Sequence, residues 1–106
     1  MTKNKVSGLL GLATKAGKIV FGTEACIADI HKKKIKLLIV AEDAAERTKV
    51  KFEKICKENG IPVFEILQIE ELSKAIGKEN KAVVGIKDIN FSNAILKLID
   101  GGDVIG

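Results

Sequence analysis

Apolar residues recur at intervals of three and four along five stretches of the chain, which is the spacing of one buried helix face. In the first stretch Val6, Leu9, Leu10 and Ala13 share such a face, and Gly17 follows as a natural helix end. The pattern predicts helices at residues 4–15, from Thr23 to the lysines at 32–34, from just after Asp43 to about Asn59, at 70–76, and from Asn90 or Ser92 to Gly101. Thr23, Asp43 and one of Asn90 or Ser92 are the expected N-caps.

Four short apolar runs lie between these helices and are typical of buried strands. Ile35–Ala41 is the longest and is interrupted only by Lys36; the others are Ile19–Phe21, Val63–Ile66 and Ala82–Ile86. Because helices and strands alternate, we predict an α/β fold with a largely parallel sheet between helical layers. No internal boundary appears, so residues 1–101 are expected to form a single domain and 102–106 a loose tail.

Positive charge is concentrated in the first half of the chain. Residues 1–57 carry 13 Lys and Arg against 6 Asp and Glu, whereas residues 58–106 carry 5 against 8. Such asymmetry in one domain is typical of a protein that binds a polyanion, although a solvated Lys-rich surface would give the same counts. The chain has four Phe but no Tyr or Trp, which argues against single-strand readers that stack bases on exposed aromatic rings.

The remaining compositional features point to a reduced, cytoplasmic protein without a cofactor or metal. Cys26 and Cys56 are 30 residues apart with no CxxC pattern, and we interpret them as reduced core residues rather than a disulfide. The only His, His31, stands among lysines. Lys3 and Lys5 precede a short apolar run that is too glycine-rich for a signal peptide, and no stretch approaches the length of a membrane span.

Residues 22–49 contain the most informative pattern, because two predicted helices, beginning at Thr23 and just after Asp43, flank one buried strand. Helix beginnings present free backbone N–H groups and a positive dipole end, which suits phosphate. Gly22 and Thr23 form either a simple turn and cap or a place where an RNA backbone comes close, since Gly has no Cβ. In the second case Glu24 would accept a hydrogen bond from a base and Lys18 would contact phosphate or a guanine edge. The other candidate contacts near these helix beginnings are Lys15, Arg47, Thr48 and Lys49.

Two further segments allow alternative interpretations. Glu42 and Asp43 follow a strand, where catalytic groups often lie. We favour the alternative that Asp43 caps the next helix and Glu42 complements its dipole, and such a cap can also border a binding site. Leu67, Gln68 and Ile69 follow the third predicted strand, and Leu67 and Ile69 either pack inward or form an apolar shelf for an extruded base. Hydroxyl–imidazole catalysis lacks a suitable partner for His31, and we find no phosphate-binding P-loop, so we predict that the protein is not an enzyme.

Four segments together resemble a known family. They are GLLGLATKAGKIVFGTE at 8–24, KLLIVAEDAAERTK at 36–49, NGIPV at 59–63 and EELSKAIGK at 70–78. With this spacing, which covers nearly the whole length, the chain resembles the bacterial YlxQ-type RNA-binding proteins within the ribosomal L-seven-Ae superfamily of kink-turn binders. A kink-turn is a sharply bent RNA internal loop with tandem sheared G·A pairs.

The resemblance implies a three-layer α/β/α sandwich with a mixed four-stranded sheet. It also implies binding of the RNA kink-turn. We therefore predict a monomer that binds structured RNA, in particular ribosomal RNA, with ribosomal or transcription-complex proteins as further partners and no membrane. The RNA-facing residues that it implies are Gly22, Thr23, Glu24, Glu42, Asp43, Ile66, Leu67 and Gln68, with Lys18 as a basic position just before them.

The chain departs from kink-turn binders at one motif. Where they have Asn then Glu, this chain has Glu24 then Ala25, and their helical Lys falls on Ala28. Each lost guanine contact is worth roughly 1–3 kcal/mol of discrimination. We therefore expect the preferred RNA to be a weaker or different bent motif. A second hypothesis is a protein-interaction module of the ribosome or transcription machinery whose lysines serve an acidic partner. A small-molecule enzyme that uses Glu42 and Asp43 is a third.

Overall fold

The computed structural model describes residues 2–102 and contains five α-helices, a short π-helix and four strands. The helices are α1 (Thr2–Lys15), α2 (Thr23–His31), α3 (Glu46–Glu58), α4 (Ile69–Ala75) and α5 (Ile89–Leu96), and the π-helix Lys97–Gly102 continues α5. The strands are β1 (Ile19–Phe21), β2 (Leu37–Val40), β3 (Val63–Glu65) and β4 (Val83–Ile86). Every predicted element is present, with ends that shift by a few residues. Residues 103–106 of the expected tail lie outside the described residues.

The strands form one mixed sheet in the order β1-β4-β2-β3. Strands β1, β2 and β3 run in the same direction, but β4 runs against them and lies between β1 and β2. Only the β2–β3 pair is therefore parallel. The mixed sheet is confirmed, whereas the expectation of mostly parallel pairing needs correction, because the last strand of the chain enters the centre of the sheet.

Helices cover both faces of this sheet. All four residues of β2 and of β4 are buried, which requires a layer on each side. On one side α1 packs against α4 and α5; α2 contacts β1 and β4, and α3 contacts β2 and β3. This is the predicted three-layer α/β/α arrangement. The core between the layers is aliphatic, with Phe52 as its largest fully buried side chain.

Gly85 allows close packing at the centre of the sheet. A Cβ atom at this position would lie 2.7 Å from Cδ1 of Ile35 and 3.1 Å from Cγ1 of Val20. Cys26 and Cys56 are both buried and free. Burial raises the pKa of Cys26 to about 12 and that of Cys56 to about 11, so both thiols stay protonated at neutral pH.

Four helices end in the same way, with the residue after the C-cap in the left-handed conformation and the next N–H bonded back into the last turn. Glycine occupies this position after α1, α3 and α4. After α2 the position holds Lys33, whose φ is 61°, and Lys34 donates to the carbonyl of Asp29 at 2.9 Å. A lysine is less favourable than glycine in this conformation.

The helix starts differ from the predicted caps. Gly22 and Ala45 are the N-cap residues of α2 and α3, and neither helix has a side-chain cap. Thr23 is thus the first residue of α2 rather than its cap. Asp88, rather than Asn90 or Ser92, caps α5 and accepts from the backbone N–H of Asn90 at 2.6 Å. Within residues 2–102 no helix is long and apolar enough to cross a membrane.

Candidate nucleic-acid interface

Three loops meet at one edge of the sheet, which we call the candidate edge and define by residues 22–24, 42–43 and 66–69. They follow β1, β2 and β3, which point the same way, so their carboxyl ends lie together. Backbone hydrogen bonds connect these segments. The N–H groups of Gly22 and Ala41 donate to the carbonyls of Val83 and Ala82 at the start of β4, and the N–H of Ile66 donates to the carbonyl of Val40 at the end of β2. The three segments that the resemblance places on the RNA side are therefore neighbours.

Hydrogen bonds attach the acidic turn to the third loop. The backbone N–H of Glu42 donates to the carbonyl of Leu67 at 2.8 Å, and Nε2 of Gln68 donates to Oε1 of Glu42 at 2.9 Å. Oδ1 of Asp43 accepts from the backbone N–H of Ile69 at 2.7 Å. Asp43 thus caps α4, 26 residues away, and not α3 as the sequence predicted. Both carboxylates hold the loop in place.

The third loop has one buried and three accessible side chains. Leu67 is fully buried although its φ is 70°, an uncommon conformation for a bulky residue. Its side chain cannot form the proposed apolar shelf, so the inward-packing alternative is the correct one for Leu67. Ile66 and Ile69 are half-buried and Gln68 is exposed. The strained backbone at Leu67 directs its carbonyl to Glu42 and its side chain into the core.

Helices α2 and α3 both begin at the candidate edge without side-chain caps. The first backbone N–H groups of an α-helix have no partner within the helix, so these groups are available to a ligand. Thr23 and Glu24 are exposed in the first turn of α2, and Gly22 precedes them with a φ of 91°. Arg47 is exposed and Thr48 is half-buried in the first turn of α3.

Lys49 is held by an ion pair. Its Nζ lies 3.6 Å from Oε1 of Glu65 at the end of β3, and its side chain is only 17% exposed. Glu53 lies against the same carboxyl, and the hydrogen bond with Glu65 and the charge of Glu65 raise the pKa of Glu53. The ammonium group of Lys49 is therefore paired with Glu65, beside Glu53, and is not a free cation for a ligand.

Lys15 and Lys18 lie away from the candidate edge, contrary to the sequence-based hypothesis. Lys18 comes before β1, and its carbonyl accepts from the N–H of Lys87 after β4, which places it at the other end of both strands. Lys15 ends α1, whereas Lys3 at the beginning of this helix reaches Glu42 with a nitrogen–oxygen distance of 3.6 Å. Lys15 is twelve residues after Lys3, which corresponds to about 18 Å along the helix. Spacing along the chain could not reveal this separation.

The structure adds other lysines to the candidate edge. Nζ of Lys78 and Nζ of Lys81 each lie 5.2 Å from the ring centre of Phe21, the residue before Gly22. Hydrogen bonds between Lys81 and Ser73 fix this segment: the N–H of Lys81 donates to the Ser73 hydroxyl at 2.7 Å. Sequence reasoning missed these cations because the antiparallel insertion of β4 brings them beside Gly22. The signal in the sequence would have been a lysine just before the start of a central strand, as Lys81 is before β4.

A cavity of about 600 Å³ opens beside the third loop. It is lined by Asp43, by Ile69, Ser73 and Lys74 of α4, and by Lys78 in the following turn. This size is within the range of small-ligand pockets. Among residues 2–102 no group of three or more His, Cys, Asp or Glu side chains could hold a metal ion.

Comparison with known proteins gives the family. Residues 4–96 match the model of the ribosomal protein L7Ae/L30e/S12e/Gadd45 family. The chain is 40% identical over 99 residues to a protein named RNA-binding protein YlxQ from Enterococcus faecium, covering 93% of this chain and 95% of that one. A protein of the same name from Bacillus subtilis is 35% identical over 92 residues, covering 87% and 92%. The chain belongs to this family, and the resemblance identified from its motifs is confirmed.

Solved structures have the same fold. A protein of unknown function from Bacillus halodurans superposes with a TM-score of 0.88 at 35% identity, covering 91% of this chain and 97% of that one. A Giardia lamblia 15.5kD RNA binding protein superposes with a TM-score of 0.80 at 16% identity, covering 99% and 90%. At 16% identity, the second similarity shows only that the two proteins have the same fold.

Proposed function

We propose that this protein binds structured RNA at the candidate edge, and that the preferred RNA is a bent, kink-turn-like internal loop. The family and the two relatives named as RNA-binding proteins support the general activity. The convergence of three loops and two uncapped helix starts at one edge of the sheet is the observation that carries the proposal. We further propose that the protein acts as a cytoplasmic monomer associated with ribosomal RNA.

The chemistry of the candidate edge suits a folded RNA backbone. The free N–H groups at the starts of α2 and α3 bind phosphate oxygens, and the helix dipoles add to this attraction. Arg47, Lys78 and Lys81 supply mobile positive charge, whereas Glu24 accepts a hydrogen bond from a base amino group. Gly22 has no Cβ, so the RNA backbone can approach closely. No step in this activity requires a catalytic group.

The cavity beside the third loop has the size and lining for an extruded nucleotide. Ile69 provides a half-buried apolar surface for the base, and Lys74 and Lys78 lie near enough to the mouth to hold its phosphate. Asp43 keeps this surface in place through its bond to the N–H of Ile69. Of the two apolar residues proposed from the sequence for this contact, only Ile69 is left, because Leu67 is fully buried.

The decisive experiment measures binding of a kink-turn RNA by fluorescence anisotropy against salt. The protein should bind it more tightly than a duplex of equal length, and log affinity should fall by roughly 0.7–0.9 per log salt for each phosphate contacted. The double variant Lys78→Ala, Lys81→Ala should weaken binding and lower this slope. The control Lys51→Ala, Lys54→Ala removes the same charge from exposed positions in the middle of α3. Equal weakening by both variants would show that binding is not directed by the candidate edge.

Preference for the kink-turn is tested separately by restoring the motif that this chain lacks. Glu24, Ala25 and Ala28 are all exposed on the first turns of α2, so the triple substitution Glu24→Asn, Ala25→Glu, Ala28→Lys should not disturb the core. Since each guanine contact is worth roughly 1–3 kcal/mol, we expect a gain of at least tenfold for the kink-turn and little change for the duplex. Unchanged discrimination would mean that α2 does not face guanine bases.

A further inference from the structure

A second cleft lies at the other end of the strands from the candidate edge. We call this end the opposite edge and define it by residues 18, 32–36 and 87. The volume of the cleft is about 500 Å³, and the cleft is enclosed by the end of α2, the turn after α3 and the face of α5. Lys33 and Lys36 stand on one side, Asn59, Ile61 and Pro62 on another, and Ile89, Ser92 and Leu96 on the third. Lys18, Lys32, Lys34 and Lys87 are also near this end of the sheet.

Two observations distinguish this cleft from an ordinary surface depression. The Ser92 side chain is fully buried at the wall of the cleft, and its hydroxyl has no hydrogen-bond partner among the residues that the structure describes. Buried hydroxyls without a partner are uncommon because the lost hydration is not replaced. In addition, Lys33 occupies the left-handed position that glycine fills after the three other helices of this kind. Lys33 also lines the cleft, so this position carries a cationic side chain where the other helices have none.

From this arrangement we infer that the cleft binds a phosphorylated ligand the size of one nucleotide, either free or as a unit of an RNA strand. The phosphate lies between the ammonium groups of Lys33 and Lys36. The sugar and base pack on Ile61, Pro62 and Leu96, and rotation of the buried Ser92 side chain lets its hydroxyl pair with a polar group of the ligand. The row of lysines outside the cleft provides contacts for neighbouring phosphates if the ligand is part of a strand. This site is separate from the candidate edge and does not depend on the function proposed for it.

The binding test is an NMR titration of the ¹⁵N-labelled full chain with three probes: 5′-AMP, an oligoadenylate of eight nucleotides, and inorganic phosphate. We expect the amide signals of Lys33, Asn59, Gly60 and Ser92 to shift with AMP and with the oligonucleotide, and much less with phosphate. Tighter binding of AMP identifies a free nucleotide as the ligand, and tighter binding of the oligonucleotide identifies RNA. The proposal fails if these signals do not move, or if inorganic phosphate binds as well as AMP, which would indicate an adventitious ion only.

Variants separate binding from folding. Lys33→Gly removes the ammonium group and relieves the left-handed strain, so the thermal midpoint should stay the same or rise while AMP affinity falls about tenfold. Lys36→Ala should lower affinity to a similar extent, and the control Lys51→Ala, Lys54→Ala should leave it unchanged. Retained affinity in Lys33→Gly would overturn the proposal. Kink-turn binding is measured in the same variants, and it should persist because their substitutions lie at the other edge.

Discussion

Removal of the Asp43 carboxylate should loosen the third loop without unfolding the protein. In Asp43→Ala the N–H of Ile69 loses its acceptor at 2.7 Å, and the first turn of α4 loses a nearby negative charge. A side-chain cap contributes about 0.5–2 kcal/mol, and a charge at a helix start contributes about 0.3–1 kcal/mol. Because Asp43 is exposed, water can replace part of the hydrogen bond. We therefore expect a loss of about 1–1.5 kcal/mol in the free energy of unfolding.

Urea unfolding followed by circular dichroism measures this loss, and the thermal midpoint should fall by about 4–8 °C per kcal/mol in a domain of this size. Asp43→Asn keeps an acceptor oxygen but removes the charge, so it should lose less than Asp43→Ala. Glu79→Ala serves as the control, since Glu79 is an exposed carboxylate in the turn after α4. If Asp43→Ala is no less stable than this control, the capping role assigned to Asp43 is wrong.

Other substitutions test other parts of the structure. Gly85→Ala should cost about 1–3 kcal/mol in an unfolding titration, because the new methyl group overlaps two core side chains; a neutral result would mean that the strand can shift. Cys26 and Cys56 should not react with a thiol reagent until the protein unfolds, since both are buried with raised pKa values; rapid labelling of the folded protein would contradict this. The pKa of Glu53 is raised above its ordinary value of 4.5, so the folded state holds this proton more tightly than the unfolded chain. This contribution to stability is present at low pH and is lost as pH rises through the raised value. Glu53→Gln should therefore raise the thermal midpoint at pH 7 relative to wild type, and a lower midpoint would exclude repulsion from Glu65.

Local patterns predicted the elements of this fold well because each element buries an apolar face of its own. The spacing of Val6, Leu10 and Ala13 identifies α1, and the run at 37–40 identifies β2. The position of β4 was not predictable in this way. Its sequence is equally apolar whether it pairs in parallel at the border of the sheet or antiparallel at its centre, so only its long-range partners decide.

The sequence correctly predicted that the loops after the strands lie together. It was wrong where we assumed that residues close together in the sequence are also close in the structure. Lys18 is four residues from Gly22 but lies at the other end of the strand between them. Asp43 is three residues from the start of α3 but bonds to the start of α4. Leu67 could have faced either way, and its left-handed backbone conformation turns it inward. In each case a contact between distant segments outweighs the local preference.

The central place of β4 has a consequence for synthesis of the chain. β1 pairs only with β4, so a nascent polypeptide that ends before residue 83 has no partner for its first strand. The sheet can close only after residue 86 has been synthesised, and loop-closure entropy makes such distant pairing slow. Until then the edges of β1 and β2 that β4 will cover have no partner strand. The arrival of β4 is thus the event that completes the sheet.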